Sequence, residues 1–87
     1  MDLTKIRQEI DSIDRQLVNL FCQRMDLSAQ VAEYKKENGL PIIVPEREQQ
    51  ILRQITEQAG PEMAPYLREL YAAIFEESRR YQAEVMK

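Results

Sequence analysis

The sequence predicts an all-α protein of three helices, long, short and medium, in an intertwined antiparallel helical dimer. Three observations carry that reading. First, Leu3 to Lys36 is one amphipathic run. Its apolar positions Ile6, Ile10, Ile13, Leu17, Leu20, Leu27, Val31 and Tyr34 follow steps of three and four. Second, two shorter runs of the same kind follow, each set off by helix-stopping residues. Third, the first run is too long for the chain that contains it. A helix over residues 4–37 is a rod of about 50 Å. A compact globule of 87 residues has a radius of gyration of about 12 Å. The seam of such a rod needs a second chain to bury it, most simply a two-fold copy. Residues 1–87 are expected to make one domain.

Asp2 or Thr4 can cap the first helix. No Gly or Pro interrupts Leu3 to Asn38, and helix formers dominate the interior. Asn38-Gly39 stops the helix and Pro41 reinforces the stop. Residues 39–44, Gly-Leu-Pro-Ile-Ile-Val, form a short extended connector, too brief and isolated for a sheet. Pro45 suits the first position of a second helix, and Glu46 and Glu48 suit its first turn. That helix runs through Ile51, Leu52 and Ile55 to about Gln58, and Ala59-Gly60-Pro61 ends it. Pro65 opens the third helix. Its apolar stripe is Leu67, Leu70, Tyr71, Ile74 and Phe75, then Tyr81 and Val85. There is no internal repeat and no low-complexity segment.

Composition excludes several function classes. Twelve basic and 15 acidic residues leave a net charge of −3. The bases are scattered, which disfavours a nucleic-acid partner. No run of 18 apolar residues offers a membrane span, and the start lacks the pattern of a signal peptide. A single Cys22 and no histidine argue against an internal disulfide and a zinc site. Ser-His-Asp and Cys-His catalysis are excluded by the same count. A reducing, cytoplasmic setting is expected.

Each helix carries polar residues on or beside its apolar face. In the first, the seam position between Leu20 and Leu27 is Arg24. Lys35 lies eleven residues on, about 20° around the helix and so on nearly the same face. In the second, Glu48 precedes Ile51 and Ile55 by three and seven. In the third, Ile74, Ser78 and Gln82 step by four, continuing the buried stripe in polar form. Arg7 is seventeen residues before Arg24 and twenty-eight before Lys35, about 25 Å and 42 Å away along one rod. No small ligand reaches both Arg7 and Lys35 of one chain. In an antiparallel dimer the Arg7 end of one copy lies near the Lys35 end of the other.

The set is Arg7, Arg24, Lys35, Arg47, Glu48, Ser78 and Gln82: four cations and one acid. That excess suits a small polyanion such as a dicarboxylate, because arginine offers planar two-point recognition of a carboxylate. None of these groups is a good general base at neutral pH or an activated nucleophile. A site of this kind acts by electrostatic stabilisation and conformational restriction of a bound anion. Blander readings exist for each residue. Arg24 can be a register device in a coiled-coil-like seam, and Lys35 a solvated helix end. Arg7 with Asp11 makes an ordinary i,i+4 surface pair. Arg47-Glu48 can be a charged first turn, and Ser78 and Gln82 can share a solvated end with Glu76, Glu77, Arg79 and Arg80. Tyr66, Tyr71, Tyr81, Cys22 and Met25 read as packing residues.

These residues resemble the all-helical class of chorismate mutases, the small intertwined dimers of the shikimate pathway. The matching parts are Ile6-Arg7-x-x-Ile10-Asp11-x-Ile13-Asp14, Leu17-x-x-Leu20 followed by Arg24, and Val31-Ala32-x-x-Lys35. They continue with Pro45-Glu46-Arg47-Glu48 and Ile74-x-x-x-Ser78-x-x-x-Gln82. The resemblance implies antiparallel pairing of the long helices, two sites per dimer, and rearrangement of chorismate to prephenate without a cofactor. It implies that Arg24 and the partner chain's Arg7 hold substrate carboxylates, with Lys35 and Ser78 assisting. Lys35 and Gln82 would hydrogen-bond the ether oxygen, Glu48 the ring hydroxyl, and Arg47 would buttress Glu48 and line the pocket. Family members often carry an acid where this chain has Val44, so a hydroxyl contact here falls on Glu48 or backbone. Gln82 is an amide and donates at any ordinary pH, so activity is expected without an acidic optimum. Two rival readings use the same scaffold: a lyase releasing pyruvate from isochorismate, and a non-catalytic dimerisation or regulatory module.

Overall fold

The computed structural model describes residues 2–87 of the chain. Three helices follow one another: α1 (Leu3–Asn38), α2 (Pro45–Ala59) and α3 (Ala64–Val85). No strand occurs among the described residues. The expected boundaries hold to within a residue, and each has a local cause. Asp2, rather than Thr4, caps α1: its carboxylate accepts from the Thr4 backbone N–H at 3.0 Å. Gly39 ends α1 with φ +64°, a left-handed conformation that a side chain would strain. Behind it the Leu40 N–H donates to the Lys35 carbonyl at 2.8 Å. α2 has no side-chain cap and relies on Pro45 in its first turn with Glu46 and Glu48 beside it. Gly60, at φ +92°, closes α2 through its N–H to the Thr56 carbonyl. Pro65 sits in the first turn of α3, one residue after the helix begins.

α1 has 36 residues, a rod of about 54 Å, and the longest dimension of the molecule is 55 Å. One helix therefore spans the whole chain. α3 packs against both α1 and α2, whereas the backbones of α1 and α2 do not approach one another closely. The buried residues of α1, Ser28 and Ala32, lie in its C-terminal half. Every residue from Arg7 to Gln23 is exposed, including Ile10 at 49%, Ile13 at 54% and Leu17 at 56%. The radius of gyration is 15.9 Å, against about 12 Å for a compact domain of this length.

The buried apolar residues among those described are Ala32, Ala64 and Phe75. Ser28, Ser78 and Gln82 are equally buried. Half of this small interior is thus polar. Where α1 meets α3 the chain has built a site rather than a hydrophobic core.

Candidate active site

A cavity of about 430 Å³ lies between the C-terminal half of α1, the connector, α2 and α3. Each element supplies its polar residues at helical spacing. α1 contributes Arg24, Ser28 and Lys35; α2 contributes Arg47 and Glu48; α3 contributes Ser78, Arg79 and Gln82. Apolar walls come from Leu27, Val31, Ile51 and Phe75, and the connector adds Ile42 and Val44.

Arg24 is half-buried. Its guanidinium carbon lies 6.0 Å from the centroid of the Tyr71 ring, within range for a cation–π contact. Tyr71 is held in turn by an edge-on contact with Phe75, centroids 5.8 Å apart. Two aromatic residues of α3 therefore fix the direction of a cation on α1. Lys35 donates from Nζ to the Ile42 carbonyl at 2.9 Å. That bond ties the connector to the end of α1 and keeps the ammonium at the cavity wall.

Glu48 pairs with Arg79, whose Nη1 donates to Oε2 at 2.6 Å. This corrects the expectation that Arg47 buttresses Glu48. Arg47 instead donates to Gln50 Oε1 at 2.8 Å, one turn along its own helix. Arg47 and Glu48 are adjacent on a helix, so their side chains diverge by about 100°. A partner for Glu48 has to come from a facing element, and α3 provides it.

The innermost polar groups form a chain. Ser28 Oγ and Ser78 Oγ are 2.9 Å apart, and Gln82 Nε2 donates to Ser78 Oγ at 3.0 Å. Gln82 Oε1 is buried without a partner.

Arg7 is exposed and does not line the cavity; seventeen residues of helix place it about 25 Å from Arg24. No ion pair joins it to Asp11 among the described residues. The other six expected site residues are brought together. The cavity then holds four cations, Arg24, Lys35, Arg47 and Arg79, against Glu48 alone, a formal +3 in a chain of net charge −3. Such a cavity favours a compact anion with more than one negative centre. No group of three or more residues able to hold a metal ion occurs among the described residues. The seryl hydroxyls have no histidine to activate them. The arrangement can bind an anion, restrict its shape and donate hydrogen bonds to an oxygen that gains charge.

The model of the family described as chorismate mutase type II matches residues 6–83, a span reaching from before Arg7 to just past Gln82. The chain belongs to the chorismate mutase type II family. Among similar proteins is the T-protein of Haemophilus influenzae, 52% identical over 46 residues, which are 53% of this chain and 12% of that protein. A protein named chorismate mutase from Methanocaldococcus jannaschii is 43% identical over 53 residues, 61% of this chain and 54% of that one. A bifunctional chorismate mutase/prephenate dehydratase of Buchnera aphidicola is 35% identical over 79 residues, 88% of this chain and 20% of that protein. The chain thus spans a small part of the T-protein and of the bifunctional enzyme. No solved structure gives a significant match.

Three residues of this family member's site were missed by sequence reasoning. Ser28 had a signal, since it follows Arg24 by four and shares its face. Arg79 had a weaker one: Glu48 sits on an apolar face with no partner on its own helix. Tyr71 had none, because a cation–π contact between α1 and α3 depends on how the helices dock.

Proposed function

We propose that the cavity binds chorismate and rearranges it to prephenate, in an active site completed by a second copy of the chain. The observation that carries this reading is a formal +3 cavity with buried hydrogen-bond donors and no activated base or nucleophile. The rearrangement is intramolecular: an ether C–O bond breaks as a C–C bond forms, and no atom enters or leaves. It needs a folded conformer of a dicarboxylate and stabilisation of charge on one oxygen, and no cofactor. Arg24 takes one carboxylate, directed by Tyr71. Arg7 of the partner subunit takes the other. Lys35 and Gln82 donate to the ether oxygen as it gains charge, which lowers the barrier because these donors are already in place. Ser78 holds the Gln82 amide in place, and Arg47 adds positive charge at the rim. Glu48, oriented by Arg79, accepts from the ring hydroxyl, a role that Val44 cannot take.

The dimer is supported by surface as well as by Arg7. The chain exposes 7049 Å², whereas a compact monomer of 10.3 kDa exposes about 5,400 Å². The excess is of the size that one partner contributes to an obligate homodimer, roughly 1,000–2,500 Å². Two α1 rods packed antiparallel cover Ile10, Ile13 and Leu17 and carry Arg7 to the other chain's cavity. Among the described residues no helix is long and apolar enough to cross a membrane, and an exposed free Cys22 suits the reducing cytoplasm in which we place the reaction.

Incubation with chorismate and, separately, with isochorismate tests the reading. Prephenate from chorismate is the expected result. Pyruvate from isochorismate with no prephenate from chorismate would assign the lyase reaction. Inertness toward both, from a stable dimer, would leave a non-catalytic module.

A further inference from the structure

We infer that Ser28 is a positioning residue that turns the Gln82 carboxamide so that its N–H faces the bound ligand. The inference rests on the mutase reading above and deepens it. Gln82 is buried, at 7% exposure, and its two amide atoms do different things. Nε2 donates to Ser78 Oγ at 3.0 Å, while Oε1 has no partner. Left so, one of the two N–H groups is used inside the protein and the lone pairs of a buried oxygen are unmatched. A half-turn of the amide exchanges the two atoms in nearly the same volume. Oε1 then accepts from Ser78, and Nε2 is released toward the cavity.

Which orientation holds depends on the Ser78 hydroxyl. For Nε2 to point at Ser78, that hydroxyl must act as acceptor. For Oε1 to point at it, the hydroxyl must donate. Ser28 decides between these because its Oγ lies 2.9 Å from Ser78 Oγ and is itself buried. When Ser28 donates to Ser78, the Ser78 proton is left to find an acceptor, and the unmatched Gln82 Oε1 is the one that a half-turn of the amide brings within reach. The result is a one-way chain: Ser28 O–H to Ser78, Ser78 O–H to Gln82 Oε1, Gln82 N–H to the ligand oxygen. Every buried polar atom is then matched, and each donor polarises the next. Ser28 touches no reacting atom in this scheme. It acts through Ser78 and Gln82.

Steady-state kinetics of Ser28→Ala, which keeps the helix intact, are the test. The expected result is kcat lower by about ten-fold, with KM within about two-fold, since the loss is one hydrogen bond felt in the transition state. A second readout uses Gln82→Glu, where only the protonated carboxyl can donate to the ether oxygen. Donation from Ser78 to that carboxyl favours its ionised form. Adding Ser28→Ala therefore moves the midpoint of the pH–rate profile upward, by about half a unit, and extends activity to higher pH. A purely structural role for Ser28 would leave that midpoint in place. Unchanged kcat in Ser28→Ala beside an inactive Gln82→Ala would overturn this inference alone. Absence of turnover by the unaltered protein would overturn both it and the mutase reading.

Discussion

The two halves of α1 carry the same spacing of apolar residues and have opposite surroundings. From Arg24 to Lys35 the helix is packed on α3, and its polar residues meet partners: Arg24 over Tyr71, Ser28 against Ser78, Lys35 on the Ile42 carbonyl. From Arg7 to Gln23 nothing of its own chain touches it closely enough to bury a residue. The finished half lines a cavity with cations and, on the proposed function, lacks one carboxylate ligand. The bare half has Arg7, the proposed ligand, and an uncovered apolar stripe. Amphipathic periodicity says only that a face will be covered, not by which chain. The difference between the halves is that this chain covers one and leaves the other exposed, the face that we propose a second copy covers.

The largest expected effect breaks the finished half alone. Arg24→Ala should lower turnover by about a thousand-fold or more, comparable with loss of a preorganised charged donor, while the dimer persists in sedimentation. If Arg24 were only a register device, its loss would change the oligomeric state instead. The next breaks the bare half alone. Leu17→Glu puts a carboxylate on the stripe that the proposed dimer buries, and should dissociate that dimer and lower activity at micromolar protein by about a hundred-fold. Retention of a fully active monomer would mean that the exposed stripe needs no partner. A smaller effect sharpens the account of α2 and α3. Arg79→Leu leaves Glu48 unpaired at the cavity wall and should lower kcat/KM by about ten-fold. Arg47→Leu at the rim should cost less than that. The smallest effect is in pH. An amide at position 82 has no proton to gain or lose, so the rate should vary by no more than about two-fold between about pH 5 and 7. A steep loss across that range would show that the donor to the ether oxygen titrates.

Much of the fold was legible because its punctuation is local. Gly39, Pro45, Gly60 and Pro65 act on the backbone wherever they occur, so the three helices could be placed from sequence to within a residue. Arg24 was legible because it breaks a pattern, and Lys35, Ser78 and Gln82 because helical spacing puts them on the same faces as known seam residues. Arg79 was hidden for the opposite reason. It lies beside Arg80 in a charged stretch, and Arg80 pairs with Glu77 at the surface while Arg79 reaches across to Glu48. Nothing in their identity separates the two; the docking angle of α3 on α2 does. The role of Arg47 was misplaced because neighbours in sequence diverge on a helix. Ser28 escaped notice because a small hydroxyl is acceptable on any helix face. Only the closeness of α1 and α3 makes it buried and gives it Ser78 as a partner.

The central claim is that the bare end of one α1 completes the cavity at the far end of another. Mixing Arg7→Ala and Lys35→Ala variants tests it most directly, because each is expected to be inactive alone. After subunit exchange, half of the dimers are mixed, and one of the two sites in each has both residues. Activity should return to roughly a quarter of that of the unaltered protein. No recovery, with exchange confirmed by mass, would contradict a site shared between chains.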